Sequence, residues 1–121
     1  MSSTPPGDAW ENALPQAARE ALAAVLDPTE NVELVAPAVG SSLVLTQHRL
    51  FVVRDGASFR PKTGVRTFEL GNGLTIRIGP ARKRVIIESA GRTINLFVRS
   101  EQLAQAEGFV AEVRRRIYAN G

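Results

Sequence analysis

Two stretches of the chain repeat their hydrophobic residues at the three- and four-residue spacing of an amphipathic helix. The first stripe lies in residues 14–26 and is rich in alanine, and the second lies in residues 103–117. Pro28 ends the first stripe, because the residue before a proline avoids helical dihedrals. The pattern therefore predicts one helix over about 8–27 and another over about 100–119.

Between the two predicted helices, short runs of aliphatic and β-branched residues alternate with turn residues. Seven such runs are predicted as strands, over 31–36, 42–46, 49–54, 65–70, 74–78, 84–88 and 93–98. The connections are too short for crossover helices, so consecutive strands are expected to pair antiparallel. In the fifth run Leu74, Ile76 and Ile78 alternate with Thr75 and Arg77, which predicts a sheet with one solvent-exposed face.

Seven antiparallel strands in a chain of 121 residues must curl or stack to cover their apolar faces. The predicted fold class is therefore mainly β: a seven-stranded antiparallel barrel or sandwich with an N-terminal helix and a C-terminal capping helix. Residues 1–7 carry no apolar pattern and are predicted to be a disordered tail. Residues 8–121 are predicted to form a single domain.

The hairpin predicted over residues 42–54 has a sequence similar to that of a known domain family. From Gly40 to Gly56 the chain reads GSSLVLTQHRLFVVRDG, in which a strand ending in threonine turns through two polar residues into Arg-Leu. This segment resembles the LVLT-x-x-R-L hairpin of bacterial pleckstrin-homology-like and GRAM-like domains, and the preceding LDPTENV (26–32) resembles their lead-in. Over residues 14–118 the resemblance implies a pleckstrin-homology-like fold. It also implies binding rather than catalysis, of lipid headgroups in some members and of peptides or proteins in others.

The side chains on which most enzymes rely are scarce. The chain has no cysteine, which excludes disulfides, thiolate nucleophiles and cysteine-bound metals. His48, the single histidine, lies in a predicted tight turn with no neighbouring carboxylate to orient it. Gly71-Asn-Gly73 lacks the Gly-Lys-Ser/Thr ending of a phosphate loop. We therefore expect no enzymatic activity, no cofactor and no metal.

Charge is distributed unevenly along the chain. The net charge is only +3, but residues 1–46 carry −5 and residues 47–99 carry +8. In an up-and-down meander the odd-numbered turns share one end, so the cations of the third and fifth turns are predicted to lie beside Val39 of the first. The candidate ligand-binding residues on this rim are Arg60, Lys62, Arg66, Arg82, Lys83 and Arg84. The same pattern has an alternative, structural explanation. Arginines on solvent-exposed strand faces and sheet edges can simply keep the protein soluble.

Three kinds of partner stay open for a binding module of this composition. An unknown protein partner, or self-association, is the first prediction. The alternative is an anionic membrane surface, where each rim charge contributes roughly 1 kcal/mol to binding. Lipid-binding members of the family carry basic residues in the turn between the first two strands, whereas the corresponding turn here, at 36–40, is uncharged. Nucleic acid is the second alternative and is not favoured, because the recognised RNA-binding signatures are absent. No apolar run reaches the roughly 18 residues of a membrane span, so we expect a bacterial cytoplasmic protein, peripheral to the membrane in the lipid-binding alternative.

Overall fold

A computed structural model describes residues 13–57, 64–71 and 73–120 of the chain. Helix α1 spans Gln16–Val25 and helix α2 spans Leu103–Asn120, preceded by a 3-10 turn at Ser100–Gln102. The seven strands between them are β1 (Val32–Ala38), β2 (Ser41–Thr46), β3 (Arg49–Arg54), β4 (Val65–Glu69), β5 (Leu74–Ile78), β6 (Arg84–Ser89) and β7 (Arg92–Phe97).

The strands form two antiparallel sheets, one in the order β1-β2-β3-β4 and the other in the order β5-β6-β7. The expected fold class is confirmed to this extent: seven antiparallel strands, mainly β, with a helix before them and a helix after them. Within the described residues no ladder joins β4 to β5 or β7 to β1, so the strands do not close into a barrel. The corner between β1 and β7 is linked by one backbone hydrogen bond, from Val39 N–H to the Phe97 carbonyl oxygen at 2.8 Å.

The larger hydrophobic core lies between the two sheets and under α2. From α2 it takes Phe109 and Val113, both fully buried. The sheets contribute Ala36, Ala38, Leu43, Leu45, Leu50, Val52, Leu74, Ile76, Val85, Ile87 and Leu96. Helix α2 packs against β1 of one sheet and β5 of the other, so it covers the gap between the two sheets.

A second core covers the opposite face of the four-stranded sheet. Leu14 and three residues of α1, namely Ala18, Ala21 and Leu22, pack on outward-facing side chains of that sheet such as Val44 and Phe51. The small alanines let the helix backbone approach the sheet closely. As a result β2 is buried at every position, because α1 covers one of its faces and the inter-sheet core covers the other.

The outer face of the three-stranded sheet has no such cover within the described part of the chain. Thr75, Arg77, Thr93 and Asn95 are exposed there, and the side chain of Phe97 is 59% exposed. In the described ranges no helix is long and apolar enough to cross a lipid bilayer. The molecule is therefore asymmetric: α1 packs on the outer face of the four-stranded sheet, and no described helix covers the outer face of the three-stranded sheet.

Candidate functional site

The β5–β6 turn and the start of β6, which hold three of the six candidate cations, lie at one end of the sandwich together with three other chain segments. Three backbone hydrogen bonds link them: Val39 N–H to the Phe97 carbonyl (2.8 Å), Val98 N–H to the Lys83 carbonyl (2.9 Å) and Asp55 N–H to the Gly40 carbonyl (3.1 Å). The β1–β2 turn, the end of β3, the β5–β6 turn and the end of β7 are thus neighbours. We call this part of the molecule the basic end.

The structure describes four of the six candidate residues. Arg60 and Lys62 lie outside the described residues. Arg66 is exposed on β4, Lys83 is the residue before β6, and Arg84 is its first residue. Their side chains make no hydrogen bond or ion pair within the described part of the chain.

Arg82 differs from the other cations of the β5–β6 turn. Its backbone adopts the left-handed region, with φ of +57°, and its N–H donates to the Gly79 carbonyl at 2.9 Å. Its guanidinium forms an ion pair with the carboxylate of Glu107 in α2. The charge of Arg82 is therefore paired with a carboxylate of α2, unlike those of Lys83 and Arg84.

Two apolar side chains are exposed beside these cations. Val39 in the β1–β2 turn is 44% exposed and Phe97 at the end of β7 is 59% exposed. Arg84 lies directly opposite Phe97 in the β6–β7 register. The sequence alternation predicts that Phe97 points away from Ile94 and Leu96, and the structure leaves this outward position uncovered.

A cleft of about 220 Å³ opens at the basic end between the edge of β7 and the ends of β2, β3 and β4. It is lined by Val39, Ser41, Val52, Arg54, Gly64, Arg66 and residues Ile94 to Phe97. Its lining contains two arginines and no carboxylate. Sequence analysis identified Arg66 as a candidate but did not include Arg54, which stood at the end of a predicted strand next to Asp55.

A larger groove of about 540 Å³ separates β5 from α2. Strand β5 forms one wall and presents the edge that is not paired with β6. Ile117 and Tyr118 of α2 form the other wall, and Tyr118 is 76% exposed. The groove shares no lining residue with the cleft at the basic end.

The charged groups of the groove are only partly paired. Arg77 Nη1 donates to Glu88 Oε1 at 2.7 Å, and both residues are on the open face of the three-stranded sheet. Arg114 on α2 has no ion-pair partner in the part of the chain that the structure describes. Neither Arg114 nor Tyr118 was among the candidate residues that the sequence suggested, and Tyr118 lies next to the apolar stripe of residues 103–117 rather than in it.

A third polar cluster, centred on Glu30, has a structural role. Its side chain is fully buried and accepts hydrogen bonds from Thr46 Oγ1 (2.7 Å) and Arg49 Nε (2.9 Å), and Arg49 Nη2 also binds its Oε1. The hydrogen bond from Arg49 is the main reason that the pKa of Glu30 falls to about 2, against the opposing effect of burial. Arg49 Nη2 also donates to the Val25 carbonyl at 3.1 Å, so the cluster fastens the end of α1.

The remaining candidate for chemistry is His48, which is exposed in the turn between β2 and β3. Across residues 13–57, 64–71 and 73–120, no group of three or more histidine, aspartate or glutamate side chains is placed to hold a metal ion. No protein-family model matches the chain, and no curated protein or solved structure matches it either. The function of the groove and of the basic end therefore has to be inferred from their geometry alone.

Proposed function

We propose that this chain is a non-catalytic protein-binding module that holds an extended segment of a partner protein in the groove between β5 and α2. The observation that supports it best is the coincidence of an unpaired strand edge with a groove of about 540 Å³. An extended peptide that adds to a sheet edge gains main-chain hydrogen bonds whatever its sequence, and neighbouring pockets then select its side chains.

The groove offers both kinds of interaction. The backbone of β5 is paired with β6 on one side only. On the other side the Leu74 N–H donates to the Gly71 carbonyl at 3.1 Å, and the remaining N–H and C=O groups have no backbone partner among the described residues, so they can pair with an added strand. Leu74 and Ile76 with Ile117 supply an apolar floor for alternate side chains of the peptide. Tyr118 supplies a large exposed ring at the border, a residue type enriched in protein interfaces.

The edges of β1 and β7 are less suited to an added strand. At β1, Gln105 Nε2 of α2 donates to the Val35 carbonyl at 2.9 Å, so the helix already occupies part of that edge. At β7, the Phe97 carbonyl is taken by Val39 N–H. The groove beside β5 is therefore the best-formed of these three sites for an extended partner.

We also propose that the fold is pleckstrin-homology-like. The proposal is supported by the division of the strands into four and three and by the single helix that packs between the two sheets. It agrees with a role in binding, because such an architecture presents edges and loops without requiring a catalytic cluster.

The proposal can be tested with peptides selected from a random library of extended segments against the immobilised chain of 121 residues. Binding of a selected peptide is measured by fluorescence anisotropy, and its site is located by ¹H–¹⁵N NMR. We expect shifts in the amides of residues 74–78 and 114–118. We expect the exchange of Arg114 and Tyr118 together for alanine to weaken binding at least about tenfold, as loss of two interface side chains does.

The matched control is Arg92→Ala, which removes one exposed cation from the start of β7, outside the groove lining. This variant is expected to bind the peptide as tightly as the unaltered chain. Two results would show that the groove is not the binding site. One is a peptide that shifts protein amides outside residues 74–78 and 114–118, and the other is unchanged affinity for the variant in which Arg114 and Tyr118 are alanine.

A further inference from the structure

We infer that the segment held in the groove between β5 and α2 is acidic: it carries an aspartate or glutamate that meets Arg114, and an apolar residue two positions away that meets Ile117 and Tyr118. This inference rests on the proposed function, because it names the class of segment that the same groove takes. Three features support it, namely the hydrogen-bond pattern of β5, the residues of α2 in the groove lining and the pairing of the groove charges.

The hydrogen-bond pattern of β5 determines which backbone groups an added peptide can use. Gly79 N–H donates to the Arg84 carbonyl at 2.9 Å and continues the register of β5 with β6. Hydrogen bonds between antiparallel strands fall on alternate residues, so the odd-numbered residues of β5 bond to β6 and the even-numbered ones face the free edge. Leu74 N–H is already bound in the preceding turn. Ile76 and Ile78 therefore offer the complete N–H and C=O pairs to a peptide.

The same alternation determines where the side chains of the peptide point. In an antiparallel pair, the side chains of directly opposite residues lie on the same face of the sheet. Ile76 is buried in the core under α2 and Ile78 packs against that core, so peptide residues opposite them face α2. The peptide residue between these two faces the open side of the sheet, where Arg77 is exposed. Only alternate residues of the peptide thus reach the helix.

The α2 wall of the groove offers two different contacts to these alternate residues. Arg114 and Tyr118 are both exposed and lie one helical turn apart, and Ile117 lies beside Tyr118. Four residues advance about 6 Å along a helix, and two residues advance about 6.8 Å along an extended strand. Successive helix-facing side chains of the peptide therefore match the spacing between the cation and the apolar pair.

The pairing of charges in the groove sets the sign of the charged position. Arg77 is bound to Glu88, so Arg114 is the cation of the lining that has no ion-pair partner in the part of the chain that the structure describes. The two carboxylates of α2, at positions 107 and 112, are paired with other arginines. A peptide carboxylate finds free N–H donors on the Arg114 guanidinium, whereas a peptide cation is repelled.

The test uses the peptides selected against the chain of 121 residues. Among those that shift the amides of residues 74–78 and 114–118, we expect an acidic residue two positions from an apolar one more often than in the unselected library. In the tightest of these peptides, exchange of the acid for the matching amide is expected to weaken binding about three- to fivefold, as loss of a partly exposed ion pair does. Arg114→Gln should weaken binding equally, and both changes together should cost no more than either alone.

Arg115→Gln is the matched control, because Arg115 is exposed on the same helix, outside the groove lining, and pairs with Glu112. It is expected to bind the peptide with unchanged affinity. The charge-reversed variant Arg114→Glu should prefer the peptide in which lysine replaces the acid.

The possible failures separate this inference from the proposed function. Groove-binding peptides without enriched acids, or equal effects of Arg114→Gln and Arg115→Gln, overturn the inference and leave the proposed function intact. If no selected peptide shifts the amides of the groove, the proposed function is wrong and the inference is wrong with it.

Discussion

The buried pair of Glu30 and Arg49 shows how single side chains hold this fold together. Glu30 lies in the connection between α1 and β1, and Arg49 begins β3. The guanidinium binds the Glu30 carboxylate, donates to the end of α1 and lies 4.7 Å from the centre of the Phe51 ring. Both carboxylate oxygens of Glu30 and the Nε and Nη2 atoms of Arg49 thus have hydrogen-bond partners, and such pairing is the condition for a buried charge to be tolerated.

Replacing Glu30 with glutamine is expected to destabilise the protein. At pH 7 the change leaves Arg49 without its main counter-ion, and we expect a loss of about 3–5 kcal/mol in the free energy of unfolding. Because folding lowers the pKa of Glu30 from 4.5 to about 2, its stabilising contribution is complete above pH 4.5 and is lost as the pH falls towards 2. The variant should therefore lose less stability than the unaltered chain between pH 4.5 and 2.

Urea unfolding at a series of pH values measures both effects. Glu101→Gln, at an exposed position before α2, is the control and is expected to change stability by less than about 1 kcal/mol. If the Glu30 variant and the unaltered chain showed parallel pH profiles, the buried carboxylate would not be the group that titrates.

The role of Glu30 could not be predicted from the sequence, where it appeared only as one of the acidic residues of the first 46. Its partners Thr46 and Arg49 are 16 and 19 residues away, so their contact depends on how α1 and the first hairpin pack. Arg66 was identified because charge on a predicted turn is visible in the sequence. Its neighbour Arg54 was not, because the pairing of β3 with β4 sets which side chains share a face.

At the scale of elements, local patterns determine most boundaries. Strands β3 and β5 begin and end where the alternation and the flanking turn residues predict. Strand β1 extends two residues further, through Pro37, which an edge strand tolerates because one side of its backbone is unpaired. The spacing in residues 14–26 predicts an apolar stripe on a helix but not the surface that the stripe covers. The burial of β2 on both faces is therefore visible only in the structure.

The connection between β3 and β4 contains a close approach that glycine makes possible. A Cβ atom added to Gly64 would lie 2.7 Å from Ala57 Cα and 3.2 Å from the Ala57 carbonyl oxygen. Backbone atoms cannot move aside cheaply, so Gly64→Ala is expected to lower the free energy of unfolding by about 1–3 kcal/mol. The start of β4, including its pairing of Val65 with Val53, should be the part most disturbed.

Gly56→Ala is the matched control, in the same connection and with no atom within 4 Å of the added Cβ. Denaturant unfolding of the two variants, together with amide hydrogen exchange in β4, measures the difference. Equal stability of the two variants would mean that the chain shifts at Ala57 without cost.

At the scale of the whole molecule, the two cores share the four-stranded sheet. The second core lies between this sheet and α1, and the larger core lies between the same sheet, the three-stranded sheet and α2. Because β2 contributes side chains to both, neither core can lose its packing without exposing a strand that the other needs. The chain is therefore expected to unfold as one cooperative unit.

This cooperativity can be tested with one truncation in each core. Leu22 of α1 and Phe109 of α2 are both fully buried, on opposite sides of the shared sheet. Leu22→Ala is expected to cost about 2–5 kcal/mol and Phe109→Ala about 3–5 kcal/mol, while Tyr118→Ala, at an exposed position, should change stability by less than about 0.5 kcal/mol. The two losses should add in the double variant, because the sites do not touch.

The decisive measurement is the shape of the unfolding transition. Calorimetry and far-ultraviolet circular dichroism should give a single coincident transition for each variant, moved to lower temperature in proportion to the stability lost. If Leu22→Ala instead produced a separate early transition, α1 would be a unit that detaches from the sheet. The outer face of the four-stranded sheet, with Val44 and Phe51, would then be a surface that opens before the rest of the molecule unfolds.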